Sequence, residues 1–150
     1  MLCCNDELGE LWESILKRVN FSTDPTDLQD LAPWEKVFYF VFWLDCEIQN
    51  GGIVQFICNP GGDHYYETYN ALNEIGATQT AIGLIKVQEE INILLSNNYD
   101  ERNEQMAMYF TINEGMGSKN IDQTLDRIYN KYYDNNTEEL LVNFVHQNTA

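Results

Sequence analysis

Eight consecutive residues, Val37, Phe38, Tyr39, Phe40, Val41, Phe42, Trp43 and Leu44, leave no polar side for water, and any fold of this chain has to surround them. Pro33 precedes the run at a position suited to a first helical turn, and Gly51-Gly52 follows it as a helix stop. The spacing predicts a helix over about 33–50 that is apolar nearly all round, which marks the most buried element of a bundle.

Elsewhere apolar residues recur at intervals of three and four, with no sustained alternation of period two, so the expected class is all-α. A first helix over about 6–19 places Leu8, Leu11, Trp12, Ile15 and Val19 on one stripe and Asp6, Glu10, Glu13 and Lys17 on the other. Turn and cap chemistry at 22–27 leads to a short segment ending near Ala32-Pro33. A short helix over 53–58 ends in Asn59-Pro60-Gly61-Gly62, and a helix over about 63–75 closes on Gly76. Thr78 reads as the cap of a helix reaching Leu95. Three further helices follow over about 100–114, 120–133 and 137–146. Linkers are short and no repeat of fixed period is present, so the expectation is a single compact bundle of about seven to eight helices around the 33–50 helix, one domain spanning 1–150.

At 150 residues the chain is long enough for a full core, and its 24 Asp and Glu against 8 Lys and Arg give a net charge of −16. Such a charge repels polyanions and argues against direct contact with nucleic acid or an anionic membrane, while favouring cationic partners. The eight-residue apolar run is far short of the ~18 residues of a membrane span. The amino terminus lacks the basic and long apolar segments of a secretory signal, so a cytoplasmic protein is expected. Cys3, Cys4, Cys46 and Cys58 form no framework of spaced pairs and read as free thiols. The vicinal Cys3-Cys4 pair has no second ligand pair at zinc spacing, and no metal or other cofactor is expected.

Signals of catalysis are missing. No Asp or Glu is followed three residues later by His, as a helical di-iron site requires; there is no phosphate-cradling loop, no Gly-x-Ser-x-Gly and no cysteine with a base beside it. The block from Asp45 to Phe56 is unusual because Asp45, Glu47, Asn50 and Gln55 follow directly on the most apolar helix. Buried polar groups must be hydrogen-bonded, so these residues are expected to be partly buried in a network tying the helix end to the next turn. Glu47, Asn50, Gly51, Gly52, Gln55 and Phe56 are therefore read as a structural motif rather than a catalytic one.

The residues Glu35-Lys36-Val37-Phe38-Tyr39, then Leu44-Asp45-Cys46-Glu47-Ile48-Gln49-Asn50-Gly51-Gly52 with Gln55-Phe56, then Ala71-Leu72 and Ile75-Gly76-Ala77, resemble a bacterial family named for a DNA-mimic protein. The resemblance covers about residues 30–95 and is most specific between Glu47 and Phe56. It implies an all-helical domain with an acidic surface and, for the best-known member, occupation of the DNA-binding face of a transcription factor.

Charge spacing bears on the same point independently. Phosphates of one B-DNA strand advance ~3.4 Å along the axis. Helix positions four apart advance ~6 Å on one face, so rows of carboxylates approximate a phosphate track at lower density. Asp6, Glu10 and Glu13 form one such row; Asp24, Asp27 and Asp30 recur every three residues; Asp100, Glu101 and Glu104 open one helix, and Asp122 and Asp126 lie in another. Between Lys36 and Lys86 there is no Lys or Arg, so Asp45, Glu47, Asp63, Glu67 and Glu74 lack such partners nearby in sequence. Tyrosines such as Tyr65, Tyr66, Tyr69, Tyr109, Tyr129, Tyr132 and Tyr133 belong mostly to the core or its boundary, and beside acids they offer contacts for a basic protein.

The expected function is that of a non-enzymatic acidic protein that competes with DNA for a basic DNA-binding protein, such as a transcription factor or nucleoid protein, through Asp24, Asp27, Asp30, Glu67, Asp100, Glu101, Glu104, Asp122 and Asp126. An immunity-type neutraliser of a basic toxin or nuclease is the alternative. A small-ligand binder or enzyme using a pocket near Asp45, Glu47 and Asn50 is a weaker one. The sequence leaves a homodimer open.

Overall fold

A computed structural model describes Leu2 and residues 5–150, so the Cys3-Cys4 pair lies outside the described residues. These residues form eight α-helices and no strand. Helix α1 (Asp6–Arg18) opens where the Asn5 side chain accepts the Leu8 N–H at 3.2 Å, and it buries Leu8 and Ile15. Helix α2 (Pro25–Leu28) is a single turn capped by Asp24, whose carboxylate accepts the Thr26 N–H at 2.7 Å.

Helix α3 (Pro33–Cys58) is the axis of the bundle. Pro33 occupies its first turn, and Glu35 reaches back to accept the Ala32 N–H at 2.8 Å while pairing with Arg18 of α1. Val37, Phe38, Tyr39, Val41, Phe42 and Leu44 are buried, as the apolar run requires, and Phe40 and Trp43 pack half-buried against them. Trp12 of α1 covers this surface, its ring centroid 4.9 Å from Phe42, 5.5 Å from Tyr39 and 5.6 Å from Trp43. Such aromatic packing contributes beyond the area it buries.

After a 3-10 turn (Pro60–His64), helices α4 (Tyr65–Glu74), α5 (Thr78–Ile91), α6 (Tyr99–Ile112), α7 (Ser118–Tyr132) and α8 (Thr137–Thr149) complete the bundle, with a second 3-10 turn (Glu114–Met116) before α7. Helices α1, α4, α6, α7 and α8 all touch α3, while α5 packs on α4 and α7. Buried hydroxyls fasten the outer layer. Tyr65 donates to Leu84 O at 2.5 Å, and Thr80 meets Thr137 at 3.0 Å.

Two local expectations are corrected. The segment expected as one helix over 63–75 divides at His64, because Pro60, Gly61 and Gly62 favour a tight 3-10 turn before the α-helix begins. Thr78 is the first residue of α5 rather than its cap; the capping position is Ala77, which makes no side-chain hydrogen bond.

Candidate functional site

The glycine pair in α3 divides one long element into two helical segments. Gly52 alone leaves helical geometry, at φ 82° and ψ −174°, a conformation that L side chains rarely adopt. The segment after it would begin with an unsatisfied amide, but Asp126 of α7 accepts the Ile53 N–H at 2.8 Å. A Cβ at Gly52 would stand 2.4 Å from that carboxylate, so the acid occupies the space glycine leaves. Asp126 thus acts as a cap supplied from another helix.

Glu47 joins the two sides of the kink. Its carboxylate accepts from the Trp43 indole at 3.3 Å, from Gln55 at 2.7 Å and from Asn59 at 3.0 Å and 3.2 Å. Asp45 accepts the Leu2 N–H at 3.1 Å and a bond from Gln49. Phe56 is buried and stacks on Tyr65 at 6.0 Å. The expectation that Asn50 is partly buried in this network is corrected: Asn50 and Gly51 are exposed, because the helix turns both toward water just before the kink. Asn59 and Trp43 take the place assigned to Asn50.

The far end of α3 is closed by a residue that sequence reasoning missed. Arg102 of α6 is fully buried and donates to Ile57 O at 2.6 Å, Asn59 O at 3.0 Å and Ser96 O at 3.0 Å, while its guanidinium pairs with Asp63 at 2.7 Å. Carbonyls left over at a helix end carry negative partial charge, and a buried cation satisfies them. A Cβ at Gly62 would fall 2.5 Å from Ile57 O and 2.7 Å from Arg102 Nε, so this closure needs glycine. The available signal was the inward stripe Arg102, Met106 and Tyr109, where a cation holds a core position.

Of the five acids without nearby cations in sequence, Asp63 is therefore paired from a distance, and Glu47 and Asp45 accept hydrogen bonds within the fold. Glu67 and Glu74 are exposed. The acidic rows divide similarly. Asp24, Asp27, Asp30, Glu67, Asp100, Glu101 and Glu104 are exposed, whereas Asp122 and Asp126 are half-buried on the face that α7 turns toward the kink. One Asp122 oxygen is buried without a hydrogen-bond partner, and burial followed by the neighbouring Asp126 charge raises its pKa.

His64 donates from Nε2 to Thr23 O at 2.6 Å and Tyr39 donates to Ser22 O at 2.9 Å, which fixes the turn leading to Asp24. His64 adjoins Asp63, whose partner Arg102 belongs to the helix that opens with Asp100 and Glu101. Hydrogen bonds from Thr26 hold the Asp24 carboxyl below its ordinary pKa.

Among the described residues four of the eight Lys and Arg pair with carboxylates of the same chain. Lys17 pairs with Glu13, Arg18 with Glu35, Lys86 with Glu89 and Arg102 with Asp63. Among the described residues no group of three or more His, Cys, Asp or Glu is placed to hold a metal ion, and no helix is long and apolar enough to cross a membrane. A groove does lie beside Asp45, lined also by Ile48, Gln49, Tyr129, Asn130 and Tyr133; Glu47 and Asn50 are not part of its lining.

No curated protein and no solved structure matches the chain. Residues 29–148 match the DMP19-like protein family, whose namesake abbreviates DNA mimic protein 19, and the match runs from the turn after α2 into α8, beyond the stretch that carried the resemblance. The chain belongs to the DMP19-like protein family.

Proposed function

We propose that this chain is a non-enzymatic cytoplasmic decoy that binds a basic DNA-binding protein, such as a transcription factor or nucleoid protein, and competes with DNA for it. The observation that carries the reading is the division of charge. Asp24, Asp27, Asp30, Glu67, Asp100, Glu101 and Glu104 face solvent, while among the described residues half of the eight Lys and Arg pair with carboxylates of the same chain. A surface so arranged offers a DNA-binding protein carboxylates where it would otherwise meet phosphates. Membership of a family named for a DNA mimic supports the same partner class.

Attraction between distributed charges is long-ranged and screened, with a Debye length of ~8 Å at physiological salt, so affinity falls steeply as salt rises. Changing Asp24, Asp27 and Asp30 together to Asn, or Asp100 to Asn with Glu101 and Glu104 to Gln, keeps size and removes three charges. Titration calorimetry of these variants against a purified basic DNA-binding protein should show weaker binding with little change in melting temperature. Unchanged affinity at low salt in both variants would remove these rows from the interface.

A further inference from the structure

Helix α6 is apolar on two sides. Its inward stripe of Arg102, Met106 and Tyr109 is buried in the bundle, whereas Met108 and Ile112, one turn apart on the outer face, are 59% and 73% exposed. A helix face turned to water is ordinarily polar, and adjoining exposed apolar side chains mark an interaction site. The chain after α5 supplies the opposite wall. Asn92 ends α5 in the left-handed conformation, at φ 58°, and the chain then leaves Leu95 in the core, Ile93 half-buried and Leu94 73% exposed. Gln105 of α6 pins this loop, donating to Leu94 O at 2.9 Å and accepting the Ser96 N–H at 2.8 Å. Ile93, Met108 and Ile112 line a groove of about 370 Å³ between the end of α5 and α6.

The rim of this groove is acidic. Glu90 lines it, and the Glu90 charge adds to burial in raising the pKa of Tyr109, another lining residue. Glu104 stands one turn before Met108 on the same face of α6. Among the described residues neither Glu90 nor Glu104 is in an ion pair, and Lys86, the one cation of α5, is paired with Glu89. Lys131 borders a second groove that Glu90 also lines. An apolar floor with acidic edges complements a helix that carries apolar residues on one face and cations beside them. A second copy of the chain seated here would set the same acids against one another, and an anionic membrane would meet a net charge of −16.

We propose that this groove receives a basic amphipathic helix of the partner protein, a proposal that rests on the decoy reading. Apolar side chains of that helix, spaced three and four apart, cover Met108, Ile112 and Leu94, and its Lys or Arg meet Glu90 and Glu104. The unbranched Met108 adapts to side chains of different shape. Apolar burial gives the complex a part of its affinity that salt does not screen, which distributed carboxylates alone cannot supply.

The test uses the full chain and the blocked peptide acetyl-Lys-Ala-Leu-Lys-Lys-Leu-Leu-Lys-Ala-Leu-Lys-Lys-amide, followed by calorimetry and by NMR of the Met and Ile methyl groups. One comparison peptide carries Gln at every Leu, and another carries Glu at every Lys. The parent peptide should bind saturably, shift the Met108 and Ile112 methyls and bind more tightly than either comparison. Met108→Gln combined with Ile112→Gln should weaken it about ten-fold, and Glu90→Gln about three-fold. Should a variant fail to fold, the three peptides on the unaltered chain still decide. Absent methyl shifts, or binding of either comparison peptide as tight as that of the parent, would overturn the proposal. So would sedimentation in which the unaltered chain self-associates and the Met108→Gln, Ile112→Gln variant does not, because a second copy then covers the groove. Displacement of duplex DNA from a basic protein separates the two readings. A chain that displaces the duplex without binding the peptide contradicts the groove alone, whereas one that binds the peptide without displacing the duplex supports the groove and contradicts the decoy.

Discussion

Asp126 Oδ1 accepts the Ile53 N–H at 2.8 Å, and the same carboxylate fills the space in which a side chain at Gly52 would have to sit. The kink of the central helix is thus held by an acid 73 positions away in sequence. Asp126→Asn keeps an acceptor and should be tolerated, whereas Asp126→Ala should cost about 1 kcal/mol, the usual loss of a helix cap. Gly52→Ala should cost more, because about 1–3 kcal/mol of backbone strain at this positive φ adds to the collision. Urea unfolding of the three variants checks the order.

Glu47 and Asn50 should separate cleanly. Glu47→Ala strands the Trp43 indole and the Gln55 and Asn59 amides, and stranding buried polar groups costs ~1–3 kcal/mol. Asn50 is exposed, so Asn50→Ala should stay within about 0.5 kcal/mol. Equal melting temperatures for the two variants would contradict the network.

These two residues mark how far the sequence is legible. The apolar run identified the buried axis because eight uncharged positions leave helix packing no alternative, and the glycine pair located the break. The residues that complete the break were hidden because their partners are distant: nothing near Gly52 points to Asp126, and nothing near Asn59 points to Arg102. Asn50 was misplaced because polarity next to an apolar helix does not say which way the last turn faces. Asp122 and Asp126 looked like one more surface row because i,i+4 spacing is the same on either face of a helix.

Arg102→Met should be strongly destabilising although it keeps an unbranched stem. It leaves Ile57 O, Asn59 O and Ser96 O without their donor and Asp63 without its cation. Breaking a buried pair by removing one partner costs about 3–5 kcal/mol. Hydrogen exchange should show the loss first in residues 53–58, and a uniform change across the bundle would contradict the role assigned to Arg102.

Two acids should shift stability with pH in opposite directions. Hydrogen bonds from Arg18 hold the Glu35 carboxyl below its ordinary pKa, so its contribution is full above the unfolded carboxylate range and is lost as pH falls through the folded value. Glu35→Gln should destabilise by about 1 kcal/mol at neutral pH, a modest figure because Arg18 is half exposed, and by nothing in acid. Asp122 is raised by burial, so its charged form is the costly one, and the penalty disappears below the unfolded carboxylate range. Asp122→Asn should therefore stabilise at neutral pH and lose that gain on acidification. Chemical unfolding across pH 3–8 distinguishes the two slopes.

The central claim is that this chain and DNA occupy the same face of a basic protein. It is tested by displacement of a short fluorescent duplex from a purified basic DNA-binding protein, chosen from those retained on the immobilised chain, with the unaltered chain and the Asp24, Asp27 and Asp30 variant as competitors. The account predicts that the unaltered chain releases the duplex completely, that the triple Asn variant does so only at higher concentration, and that both displacements weaken as salt rises. A ternary complex holding duplex and chain together, each with its affinity unchanged, would contradict it.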